Sequence, residues 1–71
     1  MVRREYRLVV DGELSDEAGS AFEGMTLIRH AGTTVLIGIV RDQPQLHGLL
    51  QRVSDLGLTL LSVTAIGTPN R

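Results

Sequence analysis

Between residues 33 and 66 the hydrophobic period changes twice, from strand to helix and back, and this does most to narrow the folds open to the chain. Thr33 to Arg41 reads as a strand, and from Val35 to Val40 it is apolar on both faces with only Gly38 interrupting. Such a strand is central in a sheet or covered on both sides. A helix follows, from about Asp42 to Leu56. Asp42 can cap it, Gln45 stands where a capping-box side chain reaches back, and Pro44 falls in the first turn, where its missing N–H costs little. Leu46, Leu49, Leu50, Val53 and Leu56 share one face of this helix, and Leu50, in the middle of the stripe, is expected in the core. Gly57 suits the left-handed residue after a helix, and Leu58 is placed to pack back on Val53. From Leu58 to Ile66 the period returns to two, with Leu61, Val63 and Ala65 alternating with Leu60, Ser62 and Thr64.

The first half of the chain has the same order in weaker form. Tyr6, Leu8 and Val10 alternate with Glu5, Arg7 and Val9, so a strand is expected there, ended by the turn-forming pair Asp11-Gly12. Ser15 can cap a helix whose first turn carries Asp16 and Glu17, and Leu14, Ala18, Ala21 and Phe22 share one face of it. Gly19 and Gly24 limit that helix to about two turns. Met25 to His30 is a second strand, joined to the third by the tight turn Ala31-Gly32. The order βαββαβ predicts an α+β, ferredoxin-like sandwich: a four-stranded antiparallel sheet with two helices on one face. The expected spatial order is fourth, first, third, second. A single domain is expected over residues 1–67, with a polar, mobile tail at 68–71.

A chain of 71 residues has a small core, and with no Cys it has no disulfide to reinforce it. A partner chain is the remaining common source of buried area, so a homo-oligomer is expected. His30 and His47 alone do not make a zinc site, and no metal or cofactor is expected. The seven basic residues are all Arg, set against eight acids for a net charge of −1, which does not give a nucleic-acid binder its basic footprint. The charged start, Met1 to Arg7, lacks the apolar stretch of a signal peptide. The longest uninterrupted apolar runs are far short of the roughly 20 residues of a membrane span. A cytoplasmic protein without membrane contact is the expectation.

The segments Arg41-Asp-Gln-Pro-Gln-Leu-His-Gly-Leu-Leu50 and Leu56-Gly-Leu-Thr-Leu-Leu-Ser-Val-Thr64 resemble the carboxy-terminal half of short uncharacterised proteins from actinobacteria. The resemblance covers about half the chain and brings no activity or functional residue with it. At fold level the chain also resembles ACT-like regulatory domains, with Gly12-Glu13-Leu14-Ser15 standing where their effector loop follows the first strand.

Candidate chemistry is sparse. His47 stands beside the apolar helix stripe and reads as a surface residue; His30 ends the second strand with no acid near it in sequence. Ser15 and Asp42 are accounted for as caps, and Asp16-Glu17 with Glu23 lack the alternating oxygens of a cation loop. Metallochaperones of this fold need a Cys pair, and RNA-recognition domains need aromatics on the open sheet face. Tyr6 and Phe22, the only aromatics, both point to the core by pattern. The remaining feature is a sheet face. If the helices cover Leu8, Val10, Val35, Ile37, Ile39, Leu61 and Val63, the opposite face carries Val9, Ile28, Leu36, Gly38, Val40 and Leu60. An apolar patch of that extent on a small domain marks an interface. Arg7 and His30 are the polar groups of that face that could meet a ligand. The leading expectation is a non-enzymatic, self-associating module for assembly or regulation, with another protein as an alternative partner. Behind it stand an ACT-like sensor binding a small molecule at a subunit interface, and a small dimeric α+β barrel enzyme.

Overall fold

The computed structural model describes residues 3–22 and 24–67. Its elements are β1 (Arg4–Asp11), α1 (Asp16–Gly19) continued by a 3₁₀ turn at Ser20–Phe22, β2 (Thr26–His30), β3 (Thr33–Val40), α2 (Gln43–Asp55) and β4 (Leu60–Gly67). The tail expected at 68–71 lies outside the described residues. The protein is α+β: the strands form one antiparallel sheet in the order β2-β3-β1-β4, with β1 and β3 in the middle. No helix among the described residues is long and apolar enough to cross a membrane.

The ends of α2 are built from local signals. Asp42 accepts a hydrogen bond from the Gln45 N–H at 2.9 Å, and Gln45 Oε1 accepts from the Arg41 N–H at 2.7 Å. The reciprocal bond of a capping box is thus displaced by one residue, to the position before the cap. At the other end Gly57 adopts φ +72°, its N–H donates to the Ser54 carbonyl at 2.9 Å, and Leu58 N–H donates to the Val53 carbonyl at 3.0 Å. Those two bonds are the Schellman pair that satisfies carbonyls the helix leaves open. Between β2 and β3, Ala31 (φ 50°) and Gly32 (φ +82°) are both left-handed, which matches the right-handed twist of a two-residue hairpin.

The core lies on one face of the sheet. Leu8 and Val10 of β1, Leu36 and Val40 of β3, Leu14 and Phe22 before and after α1, and Leu49 and Val53 of α2 form one buried cluster. The apolar stripe of α2 is narrower than expected. Leu46 and Leu50 are half-buried and Leu56 is exposed, so Leu49 and Val53, rather than Leu50, are the inward positions. The helix packs on β3; Leu50 stands at one edge of the stripe, and Leu56 is the C-cap residue at the end of the helix. The first helical segment has the expected length of about two turns, but its second turn is 3₁₀. Ser15 caps it, accepting from the Ala18 N–H at 3.1 Å. Gly19 has a packing role besides its low helix propensity: a Cβ there would stand 3.0 Å from Leu27 Cδ2 on β2.

Candidate functional site

Directly paired residues of neighbouring strands share a face, so the register of the sheet assigns its two surfaces. Leu8 pairs with Leu36 and Val9 with Val35. Thr34, Leu36, Gly38 and Val40 therefore turn toward the helices, and Val35, Ile37 and Ile39 turn away. This is the opposite phase of β3 from the sequence expectation. Leu36 and Val40 are fully buried in the core and are not open-face positions. Gly38 makes room for Met25: a Cβ at residue 38 would lie 2.9 Å from Met25 Cγ. The physical reason for the reversal is that a strand apolar on both faces has no alternation to fix its phase, and a slip of one residue exchanges the faces completely. Leu60 pairs with Val10 and so belongs to the helix side, although it stays partly exposed. Val9 and Ile28 do lie on the open face.

Across that face Ile28, Val35, Val9 and Ser62 form one row, and Thr26, Ile37, Arg7 and Thr64 form the next. Ile39 and Glu5 pair in the row beyond. The result is a continuous aliphatic stretch in which Ile28 is 46% and Ile39 40% exposed. Arg7 and His30 are both exposed but do not meet. His30 pairs with Thr33 at the hairpin, whereas Arg7 pairs with Ile37. Those partners are four steps apart along β3, roughly 13 Å at strand rise. No joint catalytic or ligand-binding centre forms from the two.

A second surface is β4. Every one of its eight residues is exposed, on both faces. Leu61 is 53% and Ile66 48% exposed. Both are left without a β1 partner by register shifts, between Val9 and Val10 and between Glu5 and Tyr6. Only its β1 side is paired, since β4 ends the sheet. Edge strands generally carry a charge, a Pro or a cover that discourages pairing. Leu60–Gly67 contains no charged residue and no Pro, and among the described residues the two irregularities in its pairing are its protection of that kind.

The loop after β1, compared above with an effector loop, is tied down from within. Thr34, fully buried, donates from Oγ1 to the Gly12 carbonyl at 2.8 Å and accepts from the Leu14 N–H at 3.0 Å. Arg29 Nε donates to the Leu14 carbonyl, and its Nη2 meets Asp16 Oδ1 at 3.0 Å. Glu13 accepts from the Gly32 N–H at 3.0 Å, which joins the loop to the hairpin. The polar groups of the loop are thereby engaged with β2, β3 and the hairpin turn.

Fold and surface define a small α+β domain with one covered sheet face, one open aliphatic face and an exposed apolar edge strand. The chain belongs to the family described as a domain of unknown function (DUF8691), whose model matches residues 5–64. The match begins in β1 and ends in β4, so it spans all the elements of the fold. No curated protein and no solved structure matches the chain.

Proposed function

We propose that this domain is a ferredoxin-like, non-enzymatic module that self-associates through the outer edge of β4 and acts in assembly or regulation. The ferredoxin-like reading is supported by the strand order, which from the β4 edge runs fourth, first, third, second, and by helical segments that both contribute to the core on one sheet face. The observation that carries the association is β4 itself, eight residues long, uncharged and exposed throughout. An antiparallel strand is complementary to a second copy of itself. Two β4 strands related by a two-fold axis would join the four-stranded sheets into one of eight strands and cover Leu61, Val63 and Ile66 of each copy. The small core, without a disulfide, gives that added burial its weight.

The second reading keeps the open face as the contact, favoured by the exposure of Ile28 and Ile39. In it Glu5 and Arg7, neighbours on the same face of β1, would pair with their counterparts across the axis. Light scattering at high micromolar concentration separates the two. The parent is expected at twice the mass of the chain. The double substitution Leu61→Lys and Ile66→Lys is expected to give a folded monomer, because two unpaired ammonium groups would be desolvated in the edge contact. If that variant keeps the dimer mass and Ile28→Lys with Ile39→Lys loses it, the open face is the contact. A parent that is monomeric under these conditions removes both readings.

A further inference from the structure

Independently of self-association, we propose that the cleft between the start of β1, the end of β3 and α2 is a binding site for a small organic phosphate. The cleft has a volume of about 430 Å³ and carries Arg3, Arg41 and Arg52. That volume is within the range of small-molecule pockets. Three separate parts of the chain supply the guanidinium groups. Arg3 and Arg41 stand one residue beyond the Arg4–Val40 pair that ends the β1·β3 ladder, and both line the cleft. Arg52 comes from α2, where Gln45, Leu49 and Arg52 follow helical spacing and all line the cleft. No described residue lining the cleft is an acid. Among the described residues the one ion pair is Arg29–Asp16, well removed from this end of the sheet. Asp42, the acid next to Arg41, has Oδ1 engaged by the Gln45 N–H. An anion in the cleft would give the three arginines a shared counter-charge.

The shape of the site argues for phosphate over carboxylate. Guanidinium groups from three separate parts of the chain could share the oxygens of a tetrahedral phosphate, whereas a planar carboxylate offers one edge. Gln45 Oε1 is held by the Arg41 N–H, which leaves the Gln45 amide nitrogen as a further donor. Met25, Ile39 and Leu49 add apolar surface to the lining, suited to the body of an ester rather than to inorganic phosphate alone. The cleft is a notch in the sheet, because β2 begins opposite Ile37 and leaves the last residues of β3 without that neighbour.

The test titrates the full chain with phenyl phosphate and with benzoate at constant ionic strength, followed by calorimetry. Phenyl phosphate is expected to bind saturably at one site per chain, with benzoate at least ten-fold weaker. Arg41→Gln and Arg52→Gln should each weaken phenyl phosphate at least ten-fold. Arg7→Gln, which removes the same charge from the open sheet face, should leave its affinity unchanged. Circular dichroism checks that the variants keep the parent fold, which is expected because all three arginines are exposed. No saturable binding, equal affinity for benzoate, or an equal loss in Arg7→Gln would each overturn the proposal.

Discussion

Thr34 shows how one side chain can hold two parts of a small fold together. Its hydroxyl serves the Gly12 carbonyl and the Leu14 N–H at once, in a site with no access to water. Thr34→Val keeps the shape and removes both bonds, leaving two backbone groups unpaired at about 1–3 kcal/mol for each that stays buried. Thr34→Ser keeps the hydroxyl and loses one methyl group, worth about 0.8 kcal/mol. Urea denaturation is therefore expected to rank parent, Ser, Val in falling order of stability; a Val variant as stable as the parent would mean that the loop does not depend on Thr34. A different residue works against the fold. Ala31 occupies the left-handed region at φ 50°, which costs a residue with a Cβ about 1–2 kcal/mol. Ala31→Asn produces the Asn-Gly pair favoured in such hairpins and should stabilise the protein by roughly half of that cost. An unchanged or lower urea midpoint would contradict this.

At the scale of elements, α2 was legible because its determinants are local. The Asp42 cap, Pro44 in the first turn and Gly57 after the end all act within one turn of the residue concerned. Which of its leucines lies deepest was not legible. The stripe of five apolar residues spans more of the helix surface than β3 covers, and only packing selects Leu49 and Val53. Leu49→Ala is expected to cost about 2–5 kcal/mol and Leu50→Ala less than half as much, since Leu50 is already partly wet. Thermal denaturation of the two variants checks the order, and a larger loss at Leu50 would show that the helix is rotated from the position described. In the first helical segment the close approach of Gly19 to Leu27 is a contact with a strand that follows it in the chain, which local spacing does not show.

For the whole molecule the decisive quantity is how much apolar surface two short helical segments can cover. They cover one face of β1 and β3 and leave β4 exposed on every residue. If copies pair there, folding and association are linked, and the melting temperature should rise with protein concentration in the parent but not in the Leu61→Lys, Ile66→Lys variant. A charge at Leu36 is expected to unfold each copy, because Leu36 has no exposed surface. The candidate surface was thus only partly visible beforehand. Val9 and Ile28 were assigned to the open face, while Leu36, Gly38 and Val40 were exchanged for Val35, Ile37 and Ile39.

What the sequence by itself determined is the kind and order of the elements, the caps of α2 and the two-residue hairpin, since period, cap and turn chemistry act between residues a few positions apart. The tertiary structure alone decided the phase of β3, the exposure of β4, the clamp of Thr34 and Arg29 on the first loop, and the meeting of Arg3, Arg41 and Arg52. Each of these joins residues far apart in the chain. In β3 aliphatic side chains on both faces leave either phase compatible with the sequence pattern, and the choice falls to the partners that the folded chain brings against it.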